Sequence, residues 1–367
     1  MKPESPLRVL YVSFPLLTVS DSSAGGAEQM LWVLEREMSS RGLETIVAAS
    51  AGSRVSGDLF VTGDPCSRPD DFERRNREHQ DRIIAFVQQS SRDGRPFELI
   101  HDESGSFWTR AHEIDLPVLA TLHLPRHFYS GGSLKSASGN VSFNCVSHSQ
   151  ATTFRDIPRL VGVAPNGIAL DRFIHDNDVD VEEQRSGLLW LGRICEEKAP
   201  HLALEIARKT GLSITVAGQV YPFSYHRQYF ERELLPRLQE IPAARWIDSP
   251  SFEQKRRMLK SAETLLITSQ VDETSSLVAM EAAACGTPVI AFNRGALAEV
   301  VEHGKTGYVV HDIPEAVKAL KEIGNISPDV CRNHARQNLS SSRMADHYAE
   351  IYKALISINR CSATLSS

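Results

Sequence analysis

A single glutamate in an otherwise apolar run is the residue whose surroundings most clearly predict chemistry. Glu281 lies in "LVAMEAAAC", residues 277–285, where every other side chain is apolar. A helix that is apolar nearly all round is buried, and an unpaired carboxylate in such a place costs several kcal/mol. We therefore expect Glu281 either to bind a ligand, for which a ribose diol is well suited, or to pair with a hidden arginine.

Hydroxyl and carboxylate groups come directly before this run. Ser275 and Ser276 are of a type that caps helices, so they are predicted as caps of a helix that begins near Leu277. Free backbone N–H groups and the helix dipole at that end favour a phosphate group. Glu273 is expected in the loop just before this end of the helix.

Two basic residues follow another apolar run, "LLWLG". Arg193 comes directly after this predicted strand, and Lys198 lies five residues later, at the predicted start of a helix. Fixed cations in one loop can stabilise the negative charge that develops on a departing diphosphate. The alternative is solvated surface charge, with Lys198 paired to Glu196 or Glu197.

A pair of glycines marks the loop after the first predicted strand. Gly25 and Gly26 stand between that strand and the first predicted helix, where the missing Cβ lets the backbone approach a ligand. An ordinary tight turn explains the two glycines equally well. Glu28, in the same "GGAE" segment, is explained by the electrostatics of a helix N-terminus.

One histidine ends a predicted strand of the first half. His123 closes "VLATLH", at a carboxyl end, where ligands of α/β sheets bind. A structural hydrogen bond is the alternative for a lone histidine, and we favour that alternative for His101 and His127.

Short β-branched runs alternate with longer helical stretches along the whole chain. This rhythm predicts parallel βαβ units, and therefore two open α/β sheets. The polar stretch at residues 171–187 is the predicted linker between them. The predicted strands are "RVLYVSF", "ETIVAAS", "FELIHD", "VLATLH", "SFNCVSH" and "LVGVAPN" in the first half, and "GLLWLGR", "LSITVAG", "ARWID", "ETLLITS", "TPVIAF" and "GYVV" in the second.

The composition excludes several classes of protein. At 367 residues and 41% hydrophobic, the chain is long enough for two compact domains. A formal charge of −6 disfavours nucleic-acid binding, which depends on clustered Lys and Arg. The six cysteines form no CxxC pair and no Cys/His cluster, so we expect a reduced, cytoplasmic setting and no metal site. No segment approaches the roughly 20 apolar residues that span a bilayer, so at most peripheral membrane contact is expected.

The order of these motifs resembles that of one enzyme family. Glu273 and Glu281, with seven residues between them, are followed by "AAACGTPVIA" and "GALAEVVEHGKTGYVV". This pattern is similar to the signature of family 4 glycosyltransferases of GT-B fold, which are retaining enzymes. The "GGAE" loop, His123 and the Arg193/Lys198 pair occur in the family's order. The resemblance therefore covers nearly the whole chain.

The resemblance implies an α/β fold of two Rossmann-like domains whose parallel sheets face an interdomain cleft. Residues 1–170 with about 340–367 would form the N-terminal, acceptor-side domain, and residues 171–339 the nucleotide-sugar donor domain. The last helix, roughly 340–356, would cross back to the first domain. Asn166 and Gly167 resemble the turn that leaves that domain, where Asn-Gly is expected to adopt a positive φ.

The resemblance also implies roles for single residues. Glu281 would bind the donor ribose, Glu273 would contact hydroxyls of the transferred sugar, and His123 would lie near that sugar. Many members have Phe-Gly where this chain has Ser275 and Ser276, so contacts around the sugar are expected to differ. The residues implied in catalysis are His123, Arg193, Lys198 and Glu273, and those implied in donor binding are Gly25, Gly26, Arg193, Lys198, Ser275, Ser276, Leu277, Val278 and Glu281.

The implied reaction moves a sugar from a nucleoside diphosphate, such as a UDP- or GDP-sugar, to a hydroxyl of a small-molecule, glycan or lipid-linked acceptor. It needs no metal and no further cofactor. A GT-B sugar phosphorylase, a nucleotide-sugar epimerase and a non-catalytic nucleotide-sugar-binding protein are the alternatives. An NAD-dependent oxidoreductase is disfavoured because no G-x-G-x-x-G follows a predicted strand. The Asp-x-Asp pattern within 176–180 lies in the linker rather than at a strand end.

Overall fold

The computed structural model describes residues 6–23, 25–66, 69–174 and 185–365. The chain divides into two compact units: unit 1 takes the residues up to 167 and those from 341 on, and unit 2 takes residues 168–340. Each unit consists of a parallel sheet with helices, so the predicted fold class of two Rossmann-like α/β domains is confirmed.

Thirteen strands and thirteen α-helices are numbered here in chain order. The strands are β1 (Arg8–Val12), β2 (Glu44–Ala49), β3 (Asp58–Val61), β4 (Leu99–Asp102), β5 (Val118–Leu122), β6 (Val141–Cys145), β7 (Leu160–Val163), β8 (Leu188–Leu191), β9 (Ile214–Ala217), β10 (Ala244–Ile247), β11 (Thr264–Ile267), β12 (Val289–Phe292) and β13 (Gly307–Val310) in the described part of the chain. The helices are α1 (Gly26–Ser40), α2 (Phe72–Arg92), α3 (Gly131–Lys135), α4 (His148–Thr153), α5 (Pro200–Thr210), α6 (Ser224–Tyr229), α7 (Leu235–Glu240), α8 (Phe252–Ser261), α9 (Leu277–Ala284), α10 (Leu297–Val300), α11 (Ile313–Leu320), α12 (Pro328–Asn338) and α13 (Ser341–Leu365).

The sheet of unit 1 has seven parallel strands in the order β3-β2-β1-β4-β5-β6-β7. Strands β4, β5 and β6 are buried along their whole length, as expected of a parallel sheet covered on both faces. The strand order reverses between β1 and β4. In such sheets, ligands bind beside the carboxyl ends of the strands at this reversal, the switch point.

The sheet of unit 2 has six parallel strands in the order β10-β9-β8-β11-β12-β13, so its switch point lies between β8 and β11. Successive strand residues point to opposite faces. Leu188 and Trp190 therefore join one hydrophobic core, with α5 and α11, while Leu189 joins a second core with α9. Both faces of this sheet are thus covered.

The C-terminal helix belongs to unit 1, as the sequence predicts, and is longer than expected. In α13, Asp346 forms an ion pair with Arg41 at 2.8 Å, and the Ser341 hydroxyl donates a hydrogen bond to Glu37 at 2.5 Å. Tyr348 and Tyr352 on the same helix are buried. The chain therefore returns to complete unit 1 after unit 2.

One strand is missing from the predicted set. β3 is a four-residue edge strand whose end residues, Asp58 and Val61, are exposed. Phe60 on this strand stacks on Phe86 of α2, with ring centroids 4.1 Å apart. So short and half-exposed a strand lacks the apolar run on which the prediction of strands relied.

Two expectations concern the membrane and the linker. No helix among the described residues is long and apolar enough to cross a bilayer. The Asp-x-Asp pattern within 176–180, and most of the predicted linker, lie outside the described ranges.

Candidate functional site

The switch point of unit 2 brings a predicted cation and a predicted carboxylate together. Lys198, in the loop after β8, places its Nζ 2.5 Å from Oε1 and 2.7 Å from Oε2 of Glu273, in the loop after β11. The Ser269 hydroxyl donates to the same Oε1 at 2.5 Å. The Glu273 side chain is 9% exposed and that of Lys198 is 30% exposed. Lys198 therefore pairs with Glu273 here, and not with Glu196 or Glu197, which were the alternative partners.

Backbone hydrogen bonds hold these two loops against each other. The Gln270 amide donates to the Glu197 carbonyl at 2.8 Å, and the Thr268 hydroxyl donates to the Ala199 carbonyl at 2.8 Å. Ala199 has a φ of +49°, in the left-handed region, and this sharp turn sends the chain into α5 directly after Lys198. The Lys198–Glu273 pair is therefore set by the loop backbones rather than by two flexible side chains alone.

The backbone of Glu273 packs against a turn that contains Gly295. Its carbonyl accepts a hydrogen bond from the Ala296 amide at 2.8 Å. Gly295 has a φ of +56°, and a Cβ at this position would collide with the Glu273 backbone. Only glycine satisfies both conditions without strain, so Gly295 is a positioning residue that the sequence analysis did not single out.

Glu281 is buried, as predicted, and has a cationic partner. Its Oε1 accepts a hydrogen bond from Lys255 Nζ on α8 at 2.6 Å, and its side chain is 5% exposed. The partner is a lysine rather than the hidden arginine that the sequence suggested. Lys255 Nζ also lies 5.4 Å from the ring centroid of Phe252. The second oxygen, Oε2, is buried without a hydrogen-bond partner among the described residues.

The helix that carries Glu281 begins as predicted, with one correction. Ser276 is the N-cap of α9, and its hydroxyl accepts a hydrogen bond from the Ala279 amide at 3.4 Å. Ser275 was predicted as a second cap, and this is wrong, because its Oγ is buried without a hydrogen-bond partner in the described part of the chain. Leu277 and Val278 are the first helical residues, whose N–H groups have no intrahelical acceptor.

Arg193 lies in the same loop as Lys198 but has different neighbours. Its guanidinium lies 5.7 Å from the ring centroid of Tyr221, and its backbone carbonyl accepts a hydrogen bond from the Cys195 thiol at 3.5 Å. Burial raises the pKa of the Cys195 thiol, and the Arg193 charge opposes that rise. Arg193 therefore borders a second group of polar side chains, next to the predicted site.

That second group was missed in the sequence. Cys195, Glu197 and His226 can bring one ligand atom each to within 4.8 Å of one another. Two of them belong to the loop after β8 and the third to α6, so no short spacing pattern joins them. No metal site was expected, because that expectation relied on the spacing of cysteines and histidines along the chain. The folded chain brings the three side chains together from two separate segments.

In unit 1, His123 pairs with a carboxylate that the sequence analysis did not name. His123 follows β5, and its Nε2 contacts Glu103 Oε2, directly after β4. Burial is the largest single effect and lowers the pKa of His123, but the charge and hydrogen bond of Glu103 and the charges of Glu28 and Asp102 together raise the pKa above its ordinary value. Burial likewise raises the pKa of Glu103, but the two neighbouring histidines lower it below its ordinary value. The sign available in the sequence was the acidic pair "DE" at a predicted strand end.

The same glutamate joins His123 to the interior of unit 1. Glu103 Oε1 lies 3.0 Å from His101 Nε2, and His101 Nδ1 lies 2.6 Å from the Tyr352 hydroxyl on α13. Burial lowers the pKa of His101 to about 4. His101 is thus a satisfied structural histidine, the interpretation favoured from the sequence.

The glycine pair adjoins a buried acid. Gly25 is the N-cap of α1, with a φ of −85°, and a Cβ added there would collide with the Glu28 carboxylate. Gly25 therefore makes room for this side chain, and Gly26 begins the helix. Burial raises the pKa of Glu28, which is 6% exposed, and His123 opposes that rise. Three carboxylates, those of Glu103, Glu28 and Asp102, thus act on His123.

Two further expectations concerned His127 and the turn at Asn166 and Gly167. His127 is exposed and packs against the ring of Phe128. Asn166 and Gly167 were expected to adopt a positive φ, and this is wrong, because neither is among the described residues with a positive φ. The Gly167 amide donates to Met344 Sδ at 3.3 Å, and the chain continues into a parallel bridge at Ile168, which requires extended backbone.

The predicted residues therefore form separate sets. Gly25, Gly26 and His123 lie in unit 1. The remaining predicted residues, Arg193, Lys198, Glu273, Ser275, Ser276, Leu277, Val278 and Glu281, lie in unit 2. Within unit 2, the structure joins Lys198 directly to Glu273, whereas Glu281 is joined to Lys255.

A sequence family matches this second unit, and individual relatives match about half of the chain. The family described as glycosyl transferases group 1 matches residues 171–334. A D-inositol 3-phosphate glycosyltransferase of Geodermatophilus obscurus is 29% identical over 217 residues, which are 54% of this chain and 48% of that protein. A lipopolysaccharide 1,2-N-acetylglucosaminetransferase of Salmonella typhimurium is 24% identical over 194 residues, 49% of this chain and 51% of that protein. The chain thus spans about half the length of the curated relatives it matches.

Solved structures match nearly the whole chain. Sucrose-phosphate synthase (tll1590) from Thermosynechococcus elongatus has a TM-score of 0.74 at 18% identity, covering 96% of this chain and all of that one. AviGT4, a glycosyltransferase involved in avilamycin A biosynthesis, has a TM-score of 0.71 at 21% identity, covering 96% and 98%. Anabaena Alr3699/HepE in complex with UDP-glucose has a TM-score of 0.72 at 15% identity, covering 95% of this chain and 100% of that one. The chain therefore has the fold of GT-B glycosyltransferases, and its residues 171–334 match the glycosyl transferases group 1 family.

Proposed function

We propose that this protein is a retaining glycosyltransferase that moves a sugar from a nucleoside diphosphate to an acceptor hydroxyl. The observation that carries the proposal is the cluster of Lys198, Glu273 and the start of α9 at the switch point of unit 2, inside the region that the family matches. The Anabaena relative of similar fold binds UDP and UDP-glucose, so a UDP-sugar is the first donor to test and a GDP-sugar the second.

The unused hydrogen-bonding capacity of the site fits such a donor. Lys198 Nζ has three donors, of which two serve Glu273, so one is left for a phosphate oxygen. The first N–H groups of α9 offer further donors to the diphosphate. Glu281 Oε2, which lacks a partner in the described chain, is suited to a ribose diol. Among the described residues, Glu273 Oε2 accepts a hydrogen bond from Lys198 alone, and it keeps a lone pair for a sugar hydroxyl.

The proposed reaction breaks the bond between the anomeric carbon and the diphosphate. The acceptor oxygen bonds to the same face of that carbon, and its proton passes to the departing diphosphate. Arg193 and Lys198 stabilise the negative charge of the leaving group, which lowers the barrier, and no metal ion is needed to bridge the diphosphate. His123 is proposed to contact the transferred sugar. The acceptor is proposed to be a small molecule, a glycan or a lipid-linked glycan.

Donor binding is the first test. The melting temperature of the full chain would be measured with UDP, GDP and ADP, with their sugars and with NAD. A ligand at 100 times its Kd adds about 2.7 kcal/mol of stability, which is a readable shift. We expect one uridine or guanosine diphosphate to stabilise the wild type and to lose at least tenfold in affinity in Glu281→Gln. Stabilisation by NAD alone, or by no nucleotide, contradicts the proposal.

Turnover is the second test, because binding alone also fits a non-catalytic sugar-nucleotide-binding protein. Products would be analysed after incubation with the stabilising donor, with and without acceptors and without added Mg²⁺ or Mn²⁺. A glycoside that keeps the donor's anomeric configuration by NMR supports the proposal. A sugar phosphate formed from a glycoside and phosphate would indicate a phosphorylase, and an isomerised sugar an epimerase.

A further inference from the structure

Three side chains of metal-ligating type converge beside Arg193. Cys195 and Glu197 lie in the loop after β8, and His226 lies on α6, which follows β9. Strands β8 and β9 are hydrogen-bonded neighbours, so the segments that follow them meet at the carboxyl edge of the sheet. One sulfur, one carboxylate oxygen and one ring nitrogen lie within 4.8 Å of one another.

The histidine of this cluster is the observation that points to a ligand. His226 is 0% exposed, and neither of its ring nitrogens has a hydrogen-bond partner among the described residues. The Oε2 of Glu197 is also buried without a partner there. Buried polar side chains in native proteins are nearly always satisfied, and leaving both imidazole nitrogens unpaired is costly. A group that bonds to these atoms would remove that cost.

The surroundings of His226 fix its orientation. The ring of Tyr225 lies 4.3 Å from the imidazole and that of Phe223 lies 5.5 Å from it, both edge to face. These aromatic rings provide packing but no donor or acceptor in contact with its nitrogens. The imidazole is therefore held in place by apolar contacts while its polar atoms remain available, as in a metal site with an apolar shell.

The chemistry of the three donors selects the ligand. Thiolate, imidazole and carboxylate are the three side-chain types that bind Zn²⁺, usually in a tetrahedron. Donors around such an ion lie about 3.3 to 3.8 Å apart, so the present spread of at most 4.8 Å requires small side-chain rotations. Two anionic ligands neutralise the charge of the ion, so the occupied site adds no net charge beside Arg193.

We propose that Cys195, Glu197 and His226 bind one Zn²⁺ ion, with a fourth position open to water. The ion would tie the loop that carries Arg193 and Lys198 to α6, and so to the neighbouring strand of the sheet. Its role is to position that loop. The proposal concerns metal binding alone and does not depend on the chain being a glycosyltransferase.

The test uses the full chain, stripped with a chelator under reducing conditions and titrated with Co²⁺ as a spectroscopic probe for Zn²⁺. The wild type is expected to bind one equivalent at micromolar concentration or below, with a thiolate-to-cobalt charge-transfer band that Zn²⁺ abolishes. Cys195→Ser is expected to remove the band and to weaken binding at least tenfold, as is His226→Asn. The matched control, Cys331→Ser, alters another buried cysteine of unit 2 outside the cluster and should bind as the wild type does.

A variant that keeps the fold secures the interpretation. Glu197 is only half-buried, so Glu197→Gln should fold normally by circular dichroism and still bind Co²⁺ at least tenfold more weakly. The proposal is overturned if the wild type binds no stoichiometric Co²⁺ or Zn²⁺, or if the Glu197→Gln and Cys195→Ser chains bind as tightly as the wild type. Neither readout uses a sugar donor, so failure here leaves the proposed transfer untouched, and the reverse also holds.

Discussion

The two switch points of this molecule both hold carboxylates, yet they satisfy them differently. In unit 1, Glu103 bonds two histidines, and none of the polar atoms of Glu103 or His123 is buried without a partner in the described chain. In unit 2, one oxygen of Glu281 and the hydroxyl of Ser275 are buried without one. Since native proteins satisfy nearly all buried polar groups, the switch point of unit 2 is the one with hydrogen bonds still to make.

This difference suggests separate tasks for the two units: a preorganised side chain in unit 1 and ligand binding in unit 2. The histidine of unit 1 is held by fixed neighbours and needs no ligand to settle its orientation. The unpaired oxygens of Glu281 and Ser275 would gain hydrogen bonds from a bound ligand, as expected of a binding site. The proposed division is therefore that unit 2 holds the donor and unit 1 presents one prepositioned imidazole.

The largest expected effect tests the claim on unit 2. Lys198→Ala removes the cation proposed to face the diphosphate, and we expect kcat/KM for the stabilising donor to fall on the order of 100-fold or more. The matched control is Lys318→Ala, an exposed lysine on α11 of the same unit, which should retain full activity. A folded Lys198→Ala enzyme with wild-type turnover would remove Lys198 from the site.

A stability measurement tests whether Glu281 depends on its own protein for a partner. Lys255→Met leaves the buried carboxylate without its cation, and breaking a buried pair costs about 3 kcal/mol. Adding Glu281→Gln to that variant should restore most of the loss in calorimetric unfolding. If Lys255→Met alone is as stable as the wild type, the pair contributes nothing and Glu281 is held in another way.

The third prediction concerns preorganisation in unit 1. Glu103→Gln keeps the shape of the side chain but removes its charge, so the pKa of His123 should fall, as followed by NMR, and activity should drop roughly tenfold. Ser104→Ala, which changes a hydroxyl bonded to Asp102 rather than to His123, is the comparison variant. Unchanged His123 titration in Glu103→Gln would show that the pair does not set the charge of the imidazole.

The same pair makes a prediction about pH. The folded pKa of His123 is raised, so its contribution to stability is full below its ordinary pKa and is lost as pH rises through the folded value. The folded pKa of Glu103 is lowered, so its contribution is lost as pH falls through that value. The stability difference between wild type and Glu103→Gln should therefore be largest between roughly pH 4.5 and 6.5. A difference independent of pH in thermal unfolding would contradict this.

The smallest expected effect concerns the helix cap of unit 2. Ser276→Ala removes a cap hydrogen bond of 3.4 Å, which is long, so a loss of about 0.5 kcal/mol is expected, at the low end for caps. Ser275→Ala removes an unpaired buried hydroxyl and should not destabilise the free protein. If the latter variant nevertheless weakens donor binding, Ser275 serves the ligand rather than the fold.

The fold could be predicted from the sequence because parallel strands are continuous apolar runs with regular spacing. The strand at the outer edge, β3, escaped because its burial is partial and its run is short. The burial of Glu281 was predictable from the apolar helix around it. Its partner was not, since Lys255 lies on a different helix and nothing in its own segment distinguishes it from the lysines on the surface.

The site was predictable where neighbours in sequence are neighbours in space. One such case is the loop that holds both Arg193 and Lys198. Another is the helix that carries Glu281, whose N-cap is Ser276 as expected. Contacts between segments, such as Glu103 with His123, or His226 with Cys195, depend on strand order, which the local pattern does not determine. The failed expectation for Gly167 has the same origin, because the next residue, Ile168, pairs with the distant Ser340 in a bridge that requires extended backbone.

The return of α13 to unit 1 has a consequence for synthesis on the ribosome. Domains generally fold as units while the chain emerges, and unit 2 is a continuous segment that emerges whole before α13 does. Until α13 emerges, unit 1 is incomplete, because Tyr11 and His101 lack the Tyr352 hydroxyl to which both are hydrogen-bonded in the finished protein. The second half of the molecule is therefore expected to fold first, and a nascent chain stopped before residue 341 would expose the sheet face that this helix covers.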